Sequence, residues 1–98
     1  MNIEKILENA TLTIKVSGRI DTKTSPQLSE CISSSLEGVT SLVVDMGEVA
    51  YISSAGLRVL LAAQKTMNKQ GDMKVVNVND DVMEIFEVTG FSDILTIV

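Results

Sequence analysis

The chain has 98 residues, 45% of them hydrophobic, and a formal net charge of -5 at pH 7, so we expect one small domain over residues 1–98 with a single core. The acidic balance, with few aromatic residues and no cluster of Lys or Arg, argues against a surface that binds nucleic acid. Because the chain has no histidine and one cysteine, it excludes a zinc site of His and Cys ligands, a catalytic triad that needs histidine, and an internal disulfide.

Two strands are predicted near the N-terminus, over residues 3–8 and 11–17. In the second strand apolar residues alternate strictly with polar ones, which is typical of a strand with one buried face. Residues 9–10 join the two strands as a tight hairpin, so the pair is antiparallel. Gly18 then breaks the second strand.

A helix follows, and two residues mark its start. Ser25 is predicted to cap this helix, and Pro26 lies in its first turn, where a missing N–H group does no harm. The helix is expected to end near Gly38. The next segment, 41–45, is a continuous apolar run, which predicts a strand buried on both faces of a parallel sheet.

The second half of the chain predicts a long helix, a strand and a shorter helix. The long helix covers 57–70, with lysines near its C-terminal end and Gly71 to terminate it. A strand is predicted over 73–78 and a third helix from about 81 to 89. Residues 94–98 are expected to form a last strand or a packed turn.

Strands alternating with helices predict an α/β fold with a mixed sheet, in which an N-terminal antiparallel hairpin is followed by parallel strands joined by right-handed helical crossovers. The loops that leave parallel strands meet at one rim of such a sheet. In this chain those loops are 19–24, 46–54 and 79–80. We therefore expect four polar side chains to be neighbours at that rim: Asp21, Asp45, Ser53 and Ser54.

No membrane-spanning or export segment is predicted. The longest apolar stretches are interrupted by Arg58 or Thr96 and fall well short of the ~20 residues that a membrane span needs. Residues 1–5 lack the basic region followed by an apolar region that an export signal has. We therefore expect a cytoplasmic protein.

The segment 51–57, Tyr-Ile-Ser-Ser-Ala-Gly-Leu, carries the strongest functional signal, because it places the hydroxyls of Ser53 and Ser54 at the start of the long helix. The first N–H groups of a helix have no partner within it, and the helix dipole leaves partial positive charge there. A serine at this point can cap the helix or, once modified, hold a phosphate. Ala55 and Gly56 are small, which predicts that the hydroxyls stay open to an approaching protein.

Four segments stand in a characteristic order along the chain. They are Gly-Arg-Ile-Asp at 18–21, the helix from Pro26, Leu-Val-Val-Asp at 42–45, and the segment 51–57. Together they resemble the successive signatures of the STAS family, in its stand-alone form of bacterial anti-sigma factor antagonists. The resemblance covers nearly the whole chain and implies a single STAS domain over 1–98.

The resemblance implies a switch made of protein–protein contacts. The unphosphorylated antagonist binds an anti-sigma factor and thereby frees a sigma factor for transcription. The anti-sigma factor is also a serine kinase, and its phosphorylation of the antagonist ends their interaction. A PP2C-type phosphatase restores the binding-competent form.

Matched residue by residue, the resemblance puts the phosphorylated serine on Ser54. The acid that often precedes that serine falls on Ser53, so a carboxylate is missing there, and Ser53 is open as a second acceptor, a helix cap or a sign of different partner contacts. The loop acid that the family associates with partner or nucleotide contact falls on Asp21. Gly56 and Arg58 complete the predicted partner-binding set.

Three of these residues also have an ordinary structural explanation. Ser54 can be a helix N-cap and nothing more. Asp21 can be a turn acid with a solvated carboxylate. Arg58 can be a plain surface charge.

Two other classes of function stay open at the level of the sequence. A STAS-like domain without phosphorylation can serve as a binding module in a signalling scaffold or a lipid-transport complex; some are proposed to bind nucleotides, but this chain has no Gly-rich phosphate loop. An enzyme is disfavoured, because a serine nucleophile needs an adjacent base and Lys65 lies about three helical turns from Ser54. We expect no metal and no cofactor.

Overall fold

Four strands and three helices make up the structure, a computed structural model that describes residues 1–98. The strands form one sheet in the order β1-β2-β3-β4. The first pair of strands is antiparallel and the other two pairs are parallel, which confirms the predicted mixed α/β sheet. In chain order the elements are β1 (Asn2–Glu8), β2 (Thr11–Ile20), α1 (Ser25–Ser33), β3 (Ser41–Ile52), α2 (Ser54–Gln70), β4 (Asp72–Val76), α3 (Asp80–Thr89) and a 3₁₀ turn (Phe91–Asp93).

The helices cover one face of the sheet, and we call the other the open face. Along β2 and β3, buried residues such as Ile14 and Val44 alternate with exposed or half-buried ones such as Lys15 and Val43. Both crossovers step in the same direction along the strand order, so right-handed connections put α1 and α2 on the same side of the sheet. The prediction that the strand at 41–45 is buried on both faces is therefore wrong.

The covered face of the sheet packs against the helices in one core cluster of 22 buried residues. From α2, Leu57, Leu60 and Met67 point into this core at helical spacing. From α3, Val82 and Phe86 are fully buried. Since burying one such side chain contributes roughly 1.5–3 kcal/mol, these contacts fix the position of α2, which begins at Ser54.

β2 and β3 both run further than the sequence predicts. β2 continues through Gly18, which takes a φ of 94°, and ends at Ile20. β3 continues beyond Asp45 to Ile52, and its pairing with β2 resumes after two register shifts of the kind that β-bulges produce. Most of the predicted loop at 46–54 is therefore strand.

α1 begins and ends differently from the prediction. Thr24, not Ser25, is the N-cap residue, and its side chain makes no capping hydrogen bond. The helix ends at Ser33 rather than near Gly38. Three consecutive hydroxyls, at 33–35, donate to carbonyl oxygens of the last turn, and such bonds compete with continuation of a helix.

The C-terminal residues lie beside the outer edge of β4. β4 itself ends earlier than predicted, because Asn77 takes a φ of 59° and turns the chain out of the strand. Val75 donates from its N–H to the Thr96 carbonyl at 2.8 Å and accepts from the Val98 N–H at 3.0 Å. A parallel bridge between Val75 and Ile97 results, so the expected last strand is reduced to one bridge.

A close backbone contact joins three strands at the rim where they begin. The Gly71 backbone at the end of α2 lies so close to Thr40 that a Cβ on residue 71 would overlap the Thr40 carbonyl. The same carbonyl accepts from the Asp72 N–H at 3.0 Å, and the Thr40 N–H donates to Ala10 at 2.9 Å. Glycine is therefore required at position 71 by this approach.

β1 is an edge strand, with β2 as its only neighbour in the sheet. All of its residues are exposed except the half-buried Ile3. Two large apolar side chains, Ile6 and Leu7, are 42% and 62% exposed. Charged residues, Glu4, Lys5 and Glu8, stand among them.

Candidate functional site

The two serines at the start of α2 have different roles. Ser53 is the N-cap residue, with extended backbone angles, and its hydroxyl oxygen accepts from the Gly56 N–H at 3.3 Å. Ser54 is the first helical residue and its side chain is exposed. The explanation of Ser54 as a helix cap is therefore wrong, because Ser53 fills that role and leaves the Ser54 hydroxyl free at the surface.

Hydrogen bonds hold the start of α2 against the end of β2. The Ser53 N–H donates to the Ile20 carbonyl at 2.8 Å, and the Ser53 carbonyl accepts from the Leu57 N–H at 2.9 Å. The backbone of Ser53 is thus hydrogen-bonded both to β2 and to the first turn of α2. Ser54 is consequently placed by the rigid part of the fold.

Gly56 is small for a reason other than the predicted one. It is buried, and a Cβ there would lie 2.6 Å from the Ile20 Cγ2 and 2.7 Å from the Ile52 Cγ1. These distances are shorter than carbon atoms tolerate without moving. Gly56 therefore lets α2 pack closely on β2 and β3, a structural role that the sequence did not predict, while its place in the partner-binding set stays a prediction.

Asp21 lies at the same rim as the serines and is half-buried, in the connection that leads from β2 into α1. Its Oδ1 accepts from the N–H groups of Lys23 and Thr24 at 2.9 and 3.0 Å and from the Thr24 hydroxyl at 3.2 Å. The bond from the Thr24 N–H does most to hold the pKa of Asp21 below its ordinary value, and the Arg19 charge adds a smaller effect in the same direction. Asp21 is thus more than a solvated turn acid, because its carboxylate organises the start of α1.

Replacing Asp21 by Asn tests this role through the pH dependence of stability. A carboxylate whose pKa is lowered by folding stabilises the native state above its unfolded pKa of about 3.9 and ceases to do so as the pH falls through the folded value. We expect the urea midpoint of Asp21→Asn to lie below that of the parent at pH 7, and the difference to shrink steadily from about pH 4 downward.

Asp72→Asn is the matched control, since Asp72 is an exposed aspartate at the other rim. A difference between the parent and Asp21→Asn that stays constant from pH 7 to pH 2.5 would mean that the carboxylate charge of Asp21 has no part in stability.

Asp45 is not at the rim with the serines. Ser53 lies eight positions further along nearly continuous strand, a distance of about 25 Å at ~3.3 Å per residue. Its Oδ1 accepts from the Gly47 N–H at 3.0 Å and from the Asn77 Nδ2 at 3.1 Å. It borders a polar groove of about 440 Å³ that also includes Lys15. The expectation that Asp45 neighbours the serines is wrong, because β3 does not end at Asp45.

Arg58 lies one helical turn after Ser54 on α2 and is exposed. Residues four apart on a helix are surface neighbours, with Cβ atoms about 5–6 Å apart. Long helical side chains lean back toward the N-terminus. The Arg58 guanidinium is therefore within reach of any group that Ser54 carries or contacts.

Arg19 and Tyr51 are two rim residues that the sequence did not single out. They are paired across β2 and β3, and the Arg19 Cζ lies 4.4 Å from the centroid of the Tyr51 ring. The alternation of side chains along the two strands could have identified both residues. Ile20 and Ile52 are buried, so Arg19 and Tyr51, which precede them, must face the other side of the sheet. That signal was missed because both strands were predicted to end too early.

Two negative observations bear on the site. No group of three or more His, Cys, Asp or Glu side chains is arranged so that it could hold a metal ion. None of the helices combines the length and the apolar character that crossing a membrane requires.

Comparisons with known proteins agree with this geometry. An anti-sigma-B factor antagonist of Listeria monocytogenes is 36% identical, over 99% of this chain and 90% of that protein. Among solved structures, an anti-sigma factor antagonist from Mycobacterium paratuberculosis superposes with a TM-score of 0.89 at 24% identity, over 98% of this chain and 83% of that one.

The antagonist SpoIIAA matches this fold in both of its solved forms. The unphosphorylated form has a TM-score of 0.78 at 16% identity, over 99% of this chain and 87% of that one. The phosphorylated form, from Bacillus, has a TM-score of 0.77 at 16% identity, over 99% and 91%. A family model described as STAS domain matches residues 2–98, and the chain therefore belongs to the STAS domain family.

Proposed function

We propose that this protein is an anti-sigma factor antagonist and that Ser54 is its phosphorylation site. The observation that carries the proposal is the division of roles between the two serines, in which Ser53 caps α2 and Ser54 stays exposed beside it. The similarity to the anti-sigma factor antagonists of Listeria and Mycobacterium supports the antagonist role. The existence of a phosphorylated form of SpoIIAA supports the modification.

In this proposal the unmodified protein binds an anti-sigma factor that is also a serine kinase. The partner docks on the rim formed by the start of α2 and the end of β2, where it contacts Ser54, Arg58 and the region of Asp21. Transfer of a phosphate to Ser54 ends the contact, and a PP2C-type phosphatase reverses it. The protein itself catalyses nothing and acts by binding in the cytoplasm.

A phosphate on Ser54 suits the folded domain. It adds about -1.5 to -2 charges at neutral pH, and the unpaired N–H groups and dipole at the start of α2 favour an anion there. Arg58 stands at the i+4 position, and an acid placed four residues before a base is the favourable order on a helix. These effects offset the repulsion from Asp21, so we expect the modified protein to keep its fold.

Ser53 is the less suitable acceptor of the two. Its hydroxyl oxygen is held by the Gly56 N–H and its side chain is half-buried. A phosphate on Ser53 would remove the only side-chain cap of α2, which is worth about 1 kcal/mol. Ser53 therefore stays in the proposal as a positioning residue beside the modified serine.

Phosphate mapping tests the proposal directly. The parent, Ser54→Ala and Ser53→Ala are incubated with ATP and the anti-sigma factor kinase of the same host, and the intact proteins and their peptides are weighed by mass spectrometry. We expect one phosphate on the parent and on Ser53→Ala, and none on Ser54→Ala.

Two results of this experiment would count against the proposal. Phosphate on Ser53 in the parent would mean that the site is shifted by one residue. No phosphate on any of the three proteins, together with tight binding of the parent to the same partner, would favour a binding module without phosphorylation.

A further inference from the structure

The open face of the sheet carries an exposed arginine–tyrosine pair at the end of β2 and β3. Arg19 and Tyr51 are paired on neighbouring parallel strands, and both are exposed, with 37% of Tyr51 accessible to solvent. The residues that follow them, Ile20 and Ile52, point into the core, so Arg19 and Tyr51 point away from the helices.

This pair lies next to the start of α2. Tyr51 precedes Ser54 by three residues, or about 10 Å of extended chain at ~3.3 Å per residue. Ile20, the neighbour of Arg19, accepts the hydrogen bond from the Ser53 N–H at 2.8 Å. A protein that docks over Ser54 with an interface of ordinary size, about 800 Å² per partner, would therefore also cover Arg19 and Tyr51.

The stacked arrangement prepares Arg19 for binding an anion. The Arg19 Cζ lies over the Tyr51 ring, 4.4 Å from its centroid, so the ring restrains the guanidinium by a cation–π contact. An arginine restrained by an aromatic neighbour has less rotamer freedom to lose on binding, and its planar fork matches a carboxylate with two hydrogen bonds. Arginine and tyrosine are also the residue types that most often dominate binding energy at protein interfaces.

Asp21, the acid whose pKa the Arg19 charge helps to lower, is already engaged. The Asp21 Oδ1 accepts three hydrogen bonds from Lys23 and Thr24. Arg19 is one of only eight cationic side chains in a chain of net charge -5. A partner that carries carboxylates would be repelled by most of this surface and attracted here, which favours one docking orientation.

We propose that Arg19, stacked on Tyr51, binds an Asp or Glu side chain of the anti-sigma factor, and that this contact is separate from Ser54. The inference rests on the proposed function for the identity of the partner. It adds the chemistry that the partner must present, namely a carboxylate placed over the open face beside β2 and β3. Phosphorylation of Ser54 and recognition by Arg19 then act on different parts of one interface.

Calorimetric titration with the purified anti-sigma factor of the same host tests this contact. Arg19→Glu places like charges face to face, and we expect binding to weaken by about 10- to 30-fold. Arg19→Lys keeps the charge without the planar fork, and we expect about a threefold to fivefold loss. Lys15→Glu is the matched control, since Lys15 is exposed on the same strand and the same face, and it should bind within about twofold of the parent.

The outcomes separate this inference from the proposed function. If Arg19→Glu melts like the parent and binds within twofold of it, while the parent phosphorylated at Ser54 loses binding, the Arg19 contact is wrong and the proposed function stands. If Lys15→Glu loses as much affinity as Arg19→Glu, the effect is general charge and the specific contact is wrong. A parent that does not bind the anti-sigma factor overturns both.

Discussion

Phosphorylated at Ser54, the protein is expected to bind the anti-sigma factor on the order of 100-fold more weakly than the unmodified protein does. A dianion placed without a partner against a surface that fits a hydroxyl costs about 3 kcal/mol, which corresponds to that loss of affinity. Within the domain the same charge is offset by the start of α2 and by Arg58. Binding by calorimetry should therefore fall steeply while the melting temperature changes by only a few degrees.

Two serine variants give this prediction its controls. Ser54→Ala should bind like the parent and stay bound in the presence of ATP. Ser54→Asp carries one charge and a shorter side chain, so we expect a loss of only about tenfold. If phosphorylated protein binds as parent does, or if its melting temperature falls by more than about 10 °C, a direct block at the interface is not the mechanism.

Replacing Gly71 by Ala is expected to produce the largest change in stability. The added Cβ would overlap the Thr40 carbonyl, which also accepts the Asp72 N–H. Backbone atoms on both sides must move, so we expect the free energy of unfolding to fall by about 3 kcal/mol. The measurement is urea unfolding followed by circular dichroism.

Gly38→Ala is the matched control for Gly71→Ala. Gly38 has a φ of 77° and open space around it, so alanine there costs only about 1 kcal/mol through its backbone conformation. The folded fraction of Gly71→Ala should bind the anti-sigma factor normally, because Gly71 is at the opposite rim from Ser54. Equal urea midpoints for the two variants would show that the Thr40 backbone moves aside at little cost in stability.

The parts of the fold that the sequence predicts well are those set by local pattern. The hairpin follows from strict alternation along residues 11–17, and the parallel pairing of the later strands follows from their alternation with helices. The second halves of β2 and β3 were missed, since Gly18 resembles a strand end and the continuous apolar run of β3 stops at residue 45. Their pairing depends on contacts between distant parts of the chain, which no local window contains.

The candidate site also combines features that local sequence predicts with features that depend on distant residues. The sequence places two adjacent serines at a helix start but cannot tell which one caps it. That choice depends on the hydrogen bond from the Ser53 N–H to Ile20, a residue 33 positions earlier. Gly56 is likewise small because Ile20 and Ile52 approach it from two strands. Adjacent residues can be assigned separate roles only when their three-dimensional neighbours are known.

The edge strand β1 has a consequence for solubility. A strand with one neighbour offers a row of unpaired backbone groups to any other strand, and exposed Ile6 and Leu7 would strengthen such an attachment. Charged side chains along the same strand oppose it, since stacking two copies would crowd them without water. We therefore expect Glu4, Lys5 and Glu8 to oppose aggregation through this edge, and neutralising these three side chains should favour pairing between copies even though the protein remains acidic.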